Sequence, residues 1–134
     1  MPKPFVVDAS VAGGWLLPDE QAPMQLLESM AETTALVPSI FHTEVCNLMA
    51  MAVRRARIGL SEAVVQMESL GRIPLRIESS MNQSAVLGLA SRHSLTAYDA
   101  VYLALSLDKS AILATRDQKL RAAAIAEGVE TTTG

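Results

Sequence analysis

The chain has 134 residues, a length that suits a single domain over residues 1–134. Half of its residues are apolar and only 4% are aromatic, which excludes long disorder and leaves Ala, Val, Leu and Met to fill the core. A formal charge of −3 and one cysteine, Cys46, exclude a protein that coats nucleic acid by bulk charge, an internal disulfide and a cysteine metal cluster.

The elements follow in chain order. The start, MPKPFVVDAS, lacks the apolar h-region of a signal peptide, and no apolar run approaches the ~20 residues of a membrane span. With the lone cysteine, this gives the expectation of a cytoplasmic protein without membrane contact. PFVV (4–7) is a buried strand that ends at Asp8. Residues 9–17 start a helix that Pro18 closes, and LPDEQAP is a loop by composition. Residues 22–31 are helical, with Met24, Leu27 and Met30 on one face. ALV (35–37) is a short strand. Pro38 and Ser39 then open a long helix from Ile40 to Ile58, stopped by Gly59. Ser61 caps a further helix that ends near Gly71. Residues 73–77 (IPLRI) form a strand that Pro74 assigns to a sheet edge. Ser79 or Ser80 opens a helix to His93, and Thr96 opens the next. AILA (111–114) is a strand, residues 117–127 are helical up to Gly128, and a weak last strand follows near Val129. Short apolar strands alternating with helices predict an α/β three-layer sandwich with a mostly parallel sheet. In such sheets ligands bind beyond the carboxyl ends of the strands.

Four acids stand out against this frame. Asp8 and Asp117 each follow a strand, where an acid either caps the next helix or serves as a ligand at the sheet edge. Glu44 interrupts the apolar row Ile40, Glu44, Leu48, and no basic residue shares its face. It either reaches the edge of the core, meets an Arg from elsewhere, or binds a ligand. Asp99 sits inside LTAYDAVYLALS. Thr96 to Asp99 fits a capping box with a short acid, and the neighbours supply no positive charge. If the four converge, their repulsion in a partly dry place calls for a cation. All-oxygen donors suit Mg²⁺ or Mn²⁺ rather than zinc. The two histidines, His42 and His93, lack metal-ligand spacing and are surface or edge residues.

FVVDAS, PSIFHTEVCNLM, LTAYDAVYLALS and LATRDQKL occur in this order across nearly the whole chain. The set resembles the PIN-domain ribonucleases, and among them the VapC-type toxins of toxin–antitoxin pairs. The resemblance implies a PIN-like parallel sheet of about five strands between helices. It implies that Asp8, Glu44, Asp99 and Asp117 are the catalytic acids and hold Mg²⁺ or Mn²⁺. Ser10 and Thr115 then match the hydroxyl residues that support the first and fourth acids. The implied activity is metal-dependent endonucleolytic cleavage of RNA. The implied partners are the RNA substrate, a cognate antitoxin and a second copy in a homodimer. Arg116, beside Asp117, and the trio Arg54, Arg55 and Arg57 are candidate RNA contacts, with a solvated helix end as the alternative for the trio. VCNLMAMAV, around Glu44, is either core or a Met-rich docking surface.

Rival functions leave their own marks. A receiver-type signalling domain wants an acceptor Asp after a middle strand and a Lys after a late one, where this chain has LVPS and AILATRD. An aspartyl-nucleophile phosphatase wants D-x-D, where this chain has DAS. A catalytically silent PIN-like interaction module would keep the fold and show no stabilisation by divalent cations.

Overall fold

The computed structural model describes residues 2–20 and 22–134. Twelve elements follow one another: β1 (Phe5–Val7), α1 (Ala9–Leu16), α2 (Gln25–Ser29), β2 (Ala35–Pro38), α3 (Phe41–Arg54), α4 (Leu60–Leu70), β3 (Leu75–Glu78), α5 (Gln83–His93), α6 (Ala97–Lys109), β4 (Ile112–Ala114), α7 (Gln118–Ala126) and β5 (Thr131–Thr132). The five strands form one sheet in the order β3-β2-β1-β4-β5, and every pairing is parallel. The expected α/β sandwich is therefore present, with β1 at its centre and β3 at an edge, where Pro74 placed it.

The chain adds β2 and β3 on one side of β1, then crosses to add β4 and β5 on the other. The order reverses between β1 and β4, and that crevice is where such sheets bind ligands. Val7 pairs with Ala114, and the Asp8 amide donates to the Ala114 carbonyl at 2.9 Å. Asp8 and Thr115 therefore leave the sheet side by side. Helix α6 packs on β1, β2 and β4, while α1 packs on α3. Val6, Val7, Val37, Phe41, Leu103, Leu113 and Leu120 close the core around the crevice. Fully burying each such side chain contributes about 1.5–3 kcal/mol, so the short strands are held by what covers them rather than by their length. Among the described residues no helix is long and apolar enough to cross a membrane.

Several boundaries differ from expectation for local reasons. Helix α2 is shorter than 22–31. LPDEQAP is irregular on both sides of Gln21, which lies outside the described residues together with Met1. Gly59, not Ser61, precedes α4, and Asn82, not Ser79 or Ser80, caps α5 by accepting from the Ala85 amide. Helix α3 stops at Arg54 instead of running to Ile58. Its end is a Schellman turn, with Arg57 N–H on the Ala52 carbonyl and Ala56 N–H on the Val53 carbonyl. That turn puts Ala56 at φ 57°, a left-handed conformation that costs a non-glycine residue about 1–2 kcal/mol. At α7 the same turn uses Gly128 at φ 79°, the stop read from the sequence.

Candidate active site

Asp8, Glu44, Asp99 and Asp117 line a single open cavity of about 440 Å³ at the carboxyl edge of β1 and β4, together with Ser10, Asn47 and Tyr98. The four acids come from four places in the chain: the end of β1, the first turn of α3, the first turn of α6 and the start of α7. A larger cavity of about 570 Å³ lies between β3, α5 and α6, but its lining is largely apolar and its only acids are Glu78 and Asp108. The acid cavity gathers the four acids named from the sequence.

The structure shows which bonds each acid makes. Asp8 precedes α1 but makes no side-chain capping bond. Its Oδ2 instead accepts from Ser10 Oγ at 2.6 Å and Thr115 Oγ1 at 2.8 Å. Asp117 does cap α7, accepting at Oδ1 from the Lys119 and Leu120 amides, and it lines the cavity as well. The Thr115 hydroxyl also accepts from the Asp117 amide at 3.1 Å, so one buried hydroxyl ties two of the acids together. Thr96 accepts from the Asp99 amide and caps α6, but the Asp99 carboxylate returns no bond to the Thr96 amide. Half of a capping box is present, and the half that would occupy the carboxylate is missing. No Arg reaches Glu44. Its Oε1 accepts from the buried Tyr102 hydroxyl at 2.6 Å.

The electrostatics follow from this crowding. Burial raises the Asp8 pKa, and its two hydroxyl partners and the Ala9 amide only partly offset that, while the Asp117 charge adds to it. Burial also raises Glu44, as do Asp8 and Asp99, against the Tyr102 bond. Asp99 is raised by burial, by Asp117 and by Asp8; Thr96 and the Lys119 ammonium offset this in part. Burial and the Glu44 carboxylate push the Tyr102 phenol far above its ordinary value, so it remains a donor. Three carboxylates thus resist being charged together.

The cationic candidates divide. Arg116 projects away from the acids, across α1, and pairs with Glu20. Arg57 does not stand free: it makes a two-pronged pair with Asp19, at 2.9 Å on each prong, and a further contact with Glu20 at 3.3 Å. Arg54 and Arg55 are exposed, with no ion pair among the described residues. Along VCNLMAMAV, Val45 and Met49 are core, whereas Leu48 and Met51 line a second cavity beside the acids. His93 is a part-buried edge residue beside Glu127. Tyr102 and Tyr98 were missed in the sequence, although Tyr102 lies one turn after Asp99 and so on its face.

The PIN-domain family profile matches residues 5–126. The chain belongs to the PIN-domain family. Solved structures share the fold of this PIN domain. PAE2754 from Pyrobaculum aerophilum is 19% identical, with a TM-score of 0.76 over 96% of this chain and 83% of that one. FitAcB from Neisseria gonorrhoeae is 16% identical, with a TM-score of 0.65 over 96% of each chain. VapC20 from Mycobacterium tuberculosis is 16% identical, with a TM-score of 0.59 over 89% of this chain and 94% of that one. No match was found among curated proteins.

The donor set of this PIN domain fits a hard divalent cation, with one restriction. The hydroxyl bonds to Asp8 and to Glu44 and the capping bonds to Asp117 each fall on a single carboxylate oxygen, and among the described residues Asp99 takes no bond from another residue's amide. Yet among the described residues no three Asp, Glu, His or Cys side chains are gathered tightly enough to grip one ion directly. A divalent cation held here would therefore reach some of these acids only through water.

Proposed function

We propose that this PIN domain is a Mg²⁺- or Mn²⁺-dependent endoribonuclease and the toxin of a toxin–antitoxin pair. The observation that carries the reading is the convergence of Asp8, Glu44, Asp99 and Asp117 on one cavity, with no ion pair to any of them among the described residues. VapC20, a sarcin–ricin loop cleaving toxin, has the same fold and supports RNA as the substrate. A bound ion would acidify the attacking water and offset the charge that builds on the phosphate. The chain's own residues supply the rest. Asp8 is held from two sides by Ser10 and Thr115, and Glu44 by Tyr102, so both carboxylates are held in place. Asp99 and Asp117 complete the ring. Tyr98, 62% exposed at the cavity rim, offers an aromatic face on which a splayed base can stack. Arg54 and Arg55, exposed at the end of α3, would meet the RNA backbone further out. A cognate antitoxin, a homodimer and a cytoplasmic setting belong to the same proposal, and Leu48 and Met51 give an antitoxin segment an adaptable apolar patch beside the site.

The purified protein is expected to cut RNA with Mg²⁺ or Mn²⁺ and to lose that activity in EDTA. The same ions should raise its melting temperature, since a ligand at one hundred times its Kd adds about 2.7 kcal/mol to the folded state. Full-rate cleavage in excess EDTA would sink the mechanism, and an unmoved melting temperature would favour a silent interaction module.

Tyr102→Phe keeps the buried ring and removes only the hydroxyl that holds Glu44. Cleavage should fall about 10–100-fold, the usual cost of losing a group that orients a ligand. Cleavage at the wild-type rate would show that Glu44 needs no such support.

A further inference from the structure

The acid cavity has a neighbour. A second cavity of about 310 Å³ shares Ser10 and Leu48 with it and is lined by Glu20, Arg55, Arg57 and Arg116. Two guanidinium groups from distant parts of the chain meet there on one carboxylate. Arg116 arrives from the turn after β4, Arg57 from the Schellman turn after α3, and Glu20 receives both. Asp19 takes the remaining face of Arg57.

The place for Arg116 is built. Its amide donates to Ser10 Oγ at 3.0 Å, the same hydroxyl that donates to Asp8, so the residue is anchored at the acid site. Its side chain then lies over Gly14 of α1. A Cβ at that position would come within 2.5 Å of Arg116 Nη1 and 2.8 Å of Ala22 Cβ. Asp117 is its chain neighbour, yet the guanidinium reaches the other way, to Glu20. The left-handed Ala56 similarly turns the chain so that Arg57 faces the loop between α1 and α2.

These pairs are displaceable. The side chains of Arg116, Arg57 and Glu20 are 36%, 34% and 26% exposed, and ion pairs this wet are weak and readily exchanged. A phosphodiester offers the same two-oxygen geometry as a carboxylate and suits the guanidinium fork equally well. We propose that Glu20 is an internal stand-in for an RNA phosphate: it holds Arg116 and Arg57 in the cavity beside the acid site until the backbone of a bound RNA displaces it. The second cavity is then the subsite for a phosphate flanking the one that is cut. This rests on the nuclease reading for its substrate, but it is tested by binding alone.

The test is fluorescence anisotropy with a short labelled single-stranded RNA in Mg²⁺, using the Asp99→Asn protein so that the RNA stays intact. Glu20→Gln added to that protein should bind about fivefold more tightly at low salt, the equivalent of releasing one wet ion pair. While Glu20 competes, only part of the bound RNA holds this contact, so its removal should steepen the dependence of log affinity on log salt by up to about 0.7 per phosphate. Glu32→Gln, the same charge change at an exposed loop site, should leave that slope unchanged. Arg116→Ala added to Glu20→Gln should abolish the gain. The proposal is overturned if Glu20→Gln binds no more tightly with the slope unaltered, the result expected if Glu20 merely ties its loop to α3. It is also overturned if the gain survives without Arg116. Absence of RNA cleavage by the wild-type protein would remove the nuclease reading and leave these binding results to decide the stand-in separately.

Discussion

Asp99→Asn is expected to abolish RNA cleavage and, in the same protein, to raise the melting temperature of the metal-free chain at neutral pH. The cleavage loss should exceed about 100-fold, because groups that only orient ligands already contribute 10–100-fold. The stabilisation comes from removing one of three carboxylates that resist being charged together. Burial, Asp117 and Asp8 all raise the Asp99 pKa. Against this, an acid in the first turn of α6 gains about 0.3–1 kcal/mol from the helix dipole. The net pKa is still raised, so crowding and burial win. Asp99 is half-buried, and solvent screening reduces the gain to about 0.5–1 kcal/mol, or about 2–4 °C for a chain of this size. The cap itself survives, because Thr96 bonds the residue 99 amide and not its side chain.

The pH dependence carries the proof. The folded-state pKa values of Asp8, Glu44 and Asp99 all lie above their ordinary values. Below the unfolded value near 4 the three are protonated in both states and their contribution to stability is complete. As pH rises through the folded values, the native state must charge them side by side and that contribution is lost. The advantage of Asp99→Asn should therefore be near zero at about pH 4 and open toward pH 7. Asp19 and Glu127 have lowered pKa values and lose stabilisation as pH falls, but they do so equally in both proteins. Thermal unfolding of the two proteins in EDTA across this range checks the claim. A difference that does not change with pH would show that repulsion is not the cause.

The sheet was legible in the sequence because its strands are buried on both faces, so PFVV, ALV and AILA read as unbroken apolar runs. The acids were legible only as a group: each alone has an ordinary capping or edge reading, but Asp8 and Asp117 both end strands and Glu44 and Asp99 lack basic neighbours on their faces. What holds them was not. Tyr102 and Glu44 are 58 positions apart, and Thr115 and Asp8 are 107 apart, so no local pattern announces either bond. Helix starts failed where chemistry was ambiguous: Ser61 at the entry to α4 and Ser79 and Ser80 before α5 read as caps, and the chain uses Gly59 and Asn82 instead. The end of α3 failed because a left-handed alanine carries no sequence signal, whereas Gly128 does. The same unforeseen turn delivers Arg57 to Glu20, so a helix-end rule and the charge network of the second cavity were missed together.

Thr115→Val is expected to damage stability and cleavage at once, although it changes neither size nor shape. Thr115 is fully buried, and its hydroxyl donates to Asp8 and accepts from the Asp117 amide. A methyl group can do neither. Asp8 keeps Ser10, but the Asp117 amide loses its acceptor, and each buried polar group left unpaired costs about 1–3 kcal/mol. Packing is preserved, so the expected loss is about 2–3 kcal/mol, a fall in melting temperature of about 8–12 °C. With one of its two hydroxyl donors gone, the Asp8 pKa should rise further. The deficit should then grow as pH increases through that value, because charging Asp8 in the folded state has become more costly. Cleavage should fall about 10–100-fold, since Asp8 loses one of the two hydroxyls that fix it and Asp117 loses its link to Asp8. Thr115→Ser separates this account from simple core damage. It removes a buried methyl but restores the donor and the acceptor, so cleavage and the pH profile should recover while some stability stays lost. If Thr115→Ser cleaves as poorly as Thr115→Val, the hydroxyl is not what joins Asp8 to Asp117, and the methyl packing at this position governs the site instead.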